Sequence, residues 1–183
     1  DKAILELTDS QGISVSEAIK TFGLNSEVSQ AAYKAEDVLG YLEVHIEQGP
    51  RLAADNQPIG IVTAIVGASR AKLSFTGQAG HAGTSPMNLR KDALAGAAEC
   101  IVFIESYAKS IPDLVATVGR IEANPGAGNV IAGEVEISLD VRHIEDRIRY
   151  KAIQDLKEKA LEICNERGLE LFWQDLMDQV AVP

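Results

Sequence analysis

The chain has 183 residues, of which 46% are hydrophobic, 24% charged and 5% aromatic; this predicts one ordinary globular domain with room for an extension and excludes a disordered or collagen-like chain. Lys and Arg number 17 against 27 Asp and Glu, a formal charge of −10, whereas a nucleic-acid partner asks for a basic surface. The longest apolar runs, Ile59 to Val66 and Ile101 to Ile104, fall far short of the roughly 20 residues that span a bilayer, so a soluble protein with no membrane partner is expected.

The two cysteines, Cys100 and Cys164, are too few for a disulfide scaffold. Set among apolar residues at helical spacing, they read as buried thiols of a cytoplasmic protein. The chain opens on Asp1, with neither an initiator methionine nor a basic and apolar leader, and is expected to be a processed or truncated piece.

In chain order, Ser14 and Glu17 stand three apart at the head of Val15, Ala18 and Ile19, the spacing of a capping box, and Gly23 ends that helix. A second helix is expected from Gln30 to Leu39. Beyond Gly40, Leu42, Val44 and Ile46 alternate with Glu43, His45 and Glu47, which predicts a strand ended by Gly49-Pro50. The polar stretch Ala54 to Pro58 marks a domain boundary. Strands are expected over 59–67 and 71–77, then a Gly-rich loop from Gly77 to Gly83 leading through Pro86 into a long helix. That helix carries an apolar stripe of Leu94, Ala97, Ile101, Ile104 and Ala108. Strands over 114–121 and 135–142 flank a second Gly-rich loop, Asn124 to Asn129. A helix from about Glu145 to Arg167 buries Ile148, Ala152, Leu156, Ala160 and Ile163, with Gly168 as its left-handed stop. Leu169 to Trp173 is the last strand. From residue 71 the order is β-α-β-β-α-β, the split βαβ or ferredoxin-like arrangement with two helices on one face of an antiparallel sheet.

Each of the three histidines admits more than one reading. His45, between Glu43 and Glu47 on one strand face, is either a metal ligand with carboxylate support or a histidine of a polar face. His81, between Gly80 and Gly83, is either a group that a ligand approaches closely or an exposed turn residue. His143 reads as a cap or surface residue. Arg142 lies on the polar face of its strand with Asp140, where its fork either pairs with Asp140 or grips a carboxylate of a ligand. Asn129 either tolerates a turn or offers a donor and an acceptor to an amide-bearing ligand.

Three stretches, Val44-His45-Ile46-Glu47-Gln48-Gly49-Pro50, Gly80-His81-Ala82-Gly83-Thr84-Ser85-Pro86-Met87, and Gly128-Asn129-Val130-Ile131-Ala132-Gly133 leading to Asp140-Val141-Arg142, closely resemble the allantoate amidohydrolase and N-carbamoyl-L-amino-acid hydrolase family. These are binuclear metal amidohydrolases related to aminoacylases and β-ureidopropionase. The resemblance covers nearly the whole chain. It implies an α/β, zinc-peptidase-like catalytic domain interrupted by a ferredoxin-like lid that makes the homodimer contact. It also implies two divalent ions, zinc or manganese, with His45 as one ligand and Gln48 hydrogen-bonding the substrate beside them. His81 would stabilise an oxyanion in the partner's active site, and Asn129 and Arg142 would hold the carboxylate of a small anionic ureido substrate.

The other metal ligands and the general base of that family have no counterpart here. Residues 1–57 are accordingly expected to be the end of a first catalytic segment, 58–175 the lid and 176–183 the start of the return. The chain by itself is expected to be inactive. A dimerisation module without chemistry, and an aminoacylase or peptidase of the same superfamily, are the alternatives.

Overall fold

Ser14 and Glu17 form the expected capping box in the computed structural model of the protein, which describes residues 2–182. The chain divides into two units, Asp1–Ile59 and Gly60–Pro183. In the first, α1 (Lys2–Leu5) and α2 (Val15–Thr21) are joined by a turn in which the Asp9 carboxylate accepts the Gln11 and Ile13 N–H groups. Gly23 follows α2 at a φ of 87°.

Two expectations fail in this unit. In place of a helix over 30–39 there are two 3₁₀ turns, Val28–Ala31 and Ala35–Asp37. The segment is short and its larger apolar residues, Tyr33 and Leu39, are exposed, and a helix of that length needs a packed face to persist. Residues 42–47 alternate as a strand should, yet they form no ladder, and Val44 is 97% exposed. Strand backbone needs a hydrogen-bonding neighbour, and no described residue supplies one. The unit closes with the single turn α3 (Arg51–Ala54).

The apolar run 59–66, which begins at the last residue of the first unit, stays largely exposed and contributes only a bridge between Ile65 and Val182. The ordered sheet begins at β1 (Gly67–Thr76), earlier than the sequence predicts. Next come β2 (Gly80–His81), α4 (Ala93–Lys109), β3 (Val115–Thr117), β4 (Ile121–Asn124), β5 (Val130–Ile131), β6 (Glu134–His143), α5 (Asp146–Arg167) and β7 (Glu170–Gln179). The main sheet has the order β3-β6-β1-β7, with β4 also on β6, and its pairings are antiparallel. A single strand over 114–121 is not formed. Residues 118–120 lie outside the strands: the Arg120 carbonyl still accepts the Ser138 N–H at 3.1 Å, but its own N–H goes to the Ser138 hydroxyl.

Alternation decides which face is covered. Ala71, Leu73 and Phe75 of β1 register beside Leu139, Ile137 and Val135 of β6, and all six are buried with Ala97, Cys100 and Ile104 of α4 and Ala152, Leu156, Ala160 and Ile163 of α5. Each fully buried large aliphatic side chain contributes roughly 1.5–3 kcal/mol. The α4 stripe is rotated from the predicted one. Leu94 is exposed, while Ala93 and Gly96 face inward; a Cβ on Gly96 would come within 2.4 Å of the Leu169 side chain. Close helix-to-sheet approach selects small residues there, and hydrophobicity alone does not record it.

At the end of the sheet where β1 starts, Arg149 of α5 is fully buried. Its guanidinium donates to Asp146, Asp178 and Ser69 and lies over the Tyr150 ring, 4.4 Å from its centroid. Asp146 also accepts the Ala181 N–H, and a Cβ on Gly67 would collide with it at 2.4 Å. The opposite face of the sheet is polar, with Arg70, Lys72, Glu136, Ser138, Asp140 and Arg142 at alternate positions. No helix among the described residues is long and apolar enough to cross a membrane.

Candidate functional site

The sequence-predicted residues fall into three separate places. In the first unit, His45 is exposed and its Nδ1 lies 2.5 Å from the Ile46 carbonyl. A carbonyl can only accept, so Nδ1 donates, and in the neutral ring Nε2 keeps the lone pair that a metal would use. Its carboxylate neighbours are otherwise engaged: Glu47 accepts the Leu52 N–H through both oxygens, and Glu43 accepts the Tyr41 hydroxyl at 3.2 Å. Among the described residues no three His, Cys, Asp or Glu side chains are grouped to hold a metal ion. His45 alone does not make the binuclear centre that the resemblance implies. Gln48 adopts φ 56°, a left-handed conformation that is uncommon for a residue with a side chain and is met at ligand-binding turns.

The second place is a loop end of the second unit. Gly80 and His81 pair with Ile131 and Val130 in a ladder that the sequence does not reveal. The Ala82 N–H then donates to the Asn129 carbonyl at 2.9 Å. His81 and Asn129, both exposed, are therefore tied together through their backbones. The Gly83 N–H donates to His81 Nδ1 at 3.0 Å; the neutral ring consequently carries its proton on Nε2, pointing a donor away from the turn. A Cβ on Gly83 would stand 3.2 Å from the ring's Cε1, so glycine leaves the imidazole its place. Beside this loop lies a cleft of about 350 Å³ lined by Ala82, Arg90, Gly128 and Val130 among others.

The third place is the polar sheet face. Arg142 grips Asp140 in two-point fashion, Nε to Oδ1 at 2.7 Å and Nη2 to Oδ2 at 3.0 Å, and Arg70 Nε adds a bond to Oδ2 at 2.8 Å. The Arg142 hydrogen bonds, joined by those from Arg70 and opposed by partial burial, hold the Asp140 carboxyl below its ordinary pKa. Two guanidinium groups around one carboxylate leave a net positive charge in a cleft of about 520 Å³ that also includes Thr117 and Leu176.

Arg142 and the His81–Asn129 pair are not brought together. From Glu134 to Arg142 strand β6 advances about 26 Å at roughly 3.3 Å per residue, with the His81 loop beyond its first residue and Arg142 at its far end. The two clefts share no lining residue. His143, expected as a cap or surface residue, is buried. It accepts the Glu145 N–H at Nδ1, and its Nε2 lies 3.1 Å from the Pro112 carbonyl.

Sequence reasoning misses Arg70 and Arg90. The only signal for Arg90 is its sign: a cation just ahead of the α4 N-cap, Asp92, opposes the helix dipole and needs a local reason to be there.

With an antiparallel sheet covered by helices on one face, the second unit has a known counterpart: residues 63–170 match the model of the peptidase dimerisation domain. The chain is 45% identical over 184 residues to an N-carbamoyl-L-amino-acid amidohydrolase of Pseudomonas sp. (strain NS671), covering 98% of this chain and 44% of that protein. It is 40% identical over 187 residues to an allantoate deiminase of Arabidopsis thaliana, covering 90% of this chain and 36% of the relative. The crystal structure of a hydantoinase/carbamoylase family amidase from Burkholderia ambifaria superimposes with a TM-score of 0.87 at 31% identity, covering 100% of this chain and 44% of that one. The chain belongs to the family of N-carbamoyl-L-amino-acid amidohydrolases and allantoate deiminases. It spans less than half the length of these relatives.

Proposed function

We propose that the chain is the lid-bearing part of a metal-dependent amidohydrolase. The enzyme cleaves a C–N bond of a ureido acid, allantoate or an N-carbamoyl-L-amino acid, and releases ammonia and carbon dioxide. The names of the relatives support the reaction class. The sheet order β3-β6-β1-β7 with α4 and α5 on one face supports the ferredoxin-like reading of the lid. Two zinc or manganese ions would sit in the catalytic part, with His45 supplying one ligand and the remainder of the polypeptide the others.

The observation that carries the reading is the separation of His81 and Asn129 from Arg142 along β6. A ureido acid is only a few ångströms long, so one lid cannot bring both groups to one substrate. Two lids in a homodimer can, with His81 and Asn129 from one subunit and Arg142 from the other. In that arrangement the Arg142 fork takes the substrate carboxylate in competition with Asp140, and Asn129 offers a donor and an acceptor. Gln48 bonds the substrate from the catalytic side. As water adds to the ureido carbon, His81 Nε2–H donates to the oxygen on which negative charge gathers. The bond to the terminal nitrogen then breaks, that nitrogen leaves as ammonia with a proton, and the carbamate left behind breaks its remaining C–N bond to release carbon dioxide and the protonated amine nitrogen. Substrate and enzyme are taken to be cytoplasmic.

Subunit mixing tests this in the complete enzyme. Homodimers of His81→Ala and of Arg142→Ala should both lose turnover, and mixing them with subunit exchange should restore about a quarter of the wild-type rate, since half the dimers carry one intact composite site. Exchange without recovery refutes the shared site. The 183-residue chain alone, given Mn²⁺ or Zn²⁺, should turn over neither substrate.

A further inference from the structure

The turn that presents His81 is held on three sides. Its own backbone closes it, with the Thr84 and Ser85 N–H groups donating to the His81 carbonyl at 3.3 and 3.1 Å. Asn129 holds its outer edge through the Ala82 N–H. The third side is Arg90, which is half-buried: Nε donates to the Ser85 carbonyl at 3.0 Å and Nη2 to the Ala82 carbonyl at 2.6 Å. The two carbonyls bracket the turn, so one planar fork fixes both of its ends, which a lysine point charge does not do. Main-chain acceptors stay available at every working pH. The arrangement also explains a cation placed against the α4 dipole.

We propose that Arg90 is a positioning residue for His81: its fork across the Ala82 and Ser85 carbonyls sets the turn from which Gly83 N–H bonds Nδ1 and directs Nε2–H outward. The inference rests on the catalytic reading of His81, and its consequence follows from geometry. A displacement of about 1 Å in a catalytic group costs up to roughly 100-fold in rate, and loss of one oxyanion donor costs about 100- to 1,000-fold. Removing Arg90 should therefore lower kcat by about 10- to 100-fold with little change in KM.

The test has two arms. In the 183-residue chain, imidazole nitrogen NMR reads the tautomer of His81, assigned by its loss in His81→Ala. The wild type should show Nε2–H, and Arg90→Met should move the His81 signals towards the tautomer mixture of a free imidazole. His143, buried on Glu145 and Pro112, should keep its own signals and so report an intact fold; Arg90→Gln takes the place of a methionine variant that loses them. Unchanged His81 signals in a variant with His143 intact overturn the proposal. In the complete enzyme, Arg90→Met should cost nothing further in a His81→Ala background, whereas losses that multiply overturn it. If His81→Ala turned over at the wild-type rate, the catalytic role of His81 would fall, and the NMR arm would still decide whether Arg90 sets the ring.

Discussion

Removing Asp146 should destabilise the second unit more than removing the buried charge it partners. The Arg149 side chain is 0% exposed, while those of Asp146 and Asp178 are 29% and 52% exposed. Burial alone pulls the Arg149 pKa down, but hydrogen bonds to Asp178, Asp146 and Tyr150 outweigh it and leave the guanidinium above its ordinary value. Asp146→Ala takes away the acceptor of Arg149 Nε at 3.2 Å, of Nη2 at 2.7 Å and of the Ala181 N–H, while the guanidinium stays inside with half its hydrogen bonds. Breaking a buried pair in this way costs about 3–5 kcal/mol; because Asp178 and Ser69 remain, about 3 kcal/mol is expected, or roughly 10 °C in Tm. Arg149→Met removes the charge, nearly keeps the volume and leaves two carboxylates that water can reach, so about 1–2 kcal/mol is expected. Urea and thermal unfolding of the chain, followed by circular dichroism, measure both. An Arg149→Met variant as unstable as Asp146→Ala would refute the reasoning, because the loss would then be one of contacts and not of charge compensation.

Burial raises the Cys100 thiol to about 12 and the Cys164 thiol to about 11, so both should stay protonated at pH 8. They should react with a chromogenic disulfide only after unfolding; rapid labelling of the native chain would contradict their placement between the helices and the sheet. Asp178 is held below its ordinary pKa by hydrogen bonds from Arg149 first, then from Ser69 and Tyr150, against the cost of burial. A depressed folded-state pKa gives stability that is present above the unfolded value, near pH 4, and is lost as pH falls through the folded one. Asp178→Asn should therefore flatten the acid limb of a stability profile, and an unchanged slope would count against the linkage.

What the sequence reveals depends on how local the cause is. The α2 capping box, the left-handed stop at Gly168 and the buried alternation of β6 follow from neighbours within a few residues, and each stands in the structure as its pattern predicts. The pairing of Arg142 with Asp140 is a further local case, one of the two readings that alternation left open. Segment 42–47 shows the limit, since its alternation is real but a strand also needs a partner. Arg149 illustrates the converse: on a helix it passes for a solvent-facing cation, and Asp178, 29 residues on, is what brings it inside. The candidate site is split in the same manner. The motifs place Asn129 and Arg142 close in sequence, and only the run of β6 separates them, while His81, far from Asn129 along the chain, is brought to it by a two-residue ladder.

Ile65 and Val182 exchange both of their main-chain hydrogen bonds, at 2.7 and 2.9 Å, which places their Cα atoms about 5.5 Å apart. Everything between them thus leaves and returns through a doorway one strand pair wide. For any polypeptide hosting such a module, the entropy of closing the loop is that of a short turn and not of a chain over a hundred residues long, where each doubling adds roughly 0.6 kcal/mol. Joining residues 65 and 182 by a tight turn should therefore allow circular permutation with new termini in the exposed loops between strands and helices.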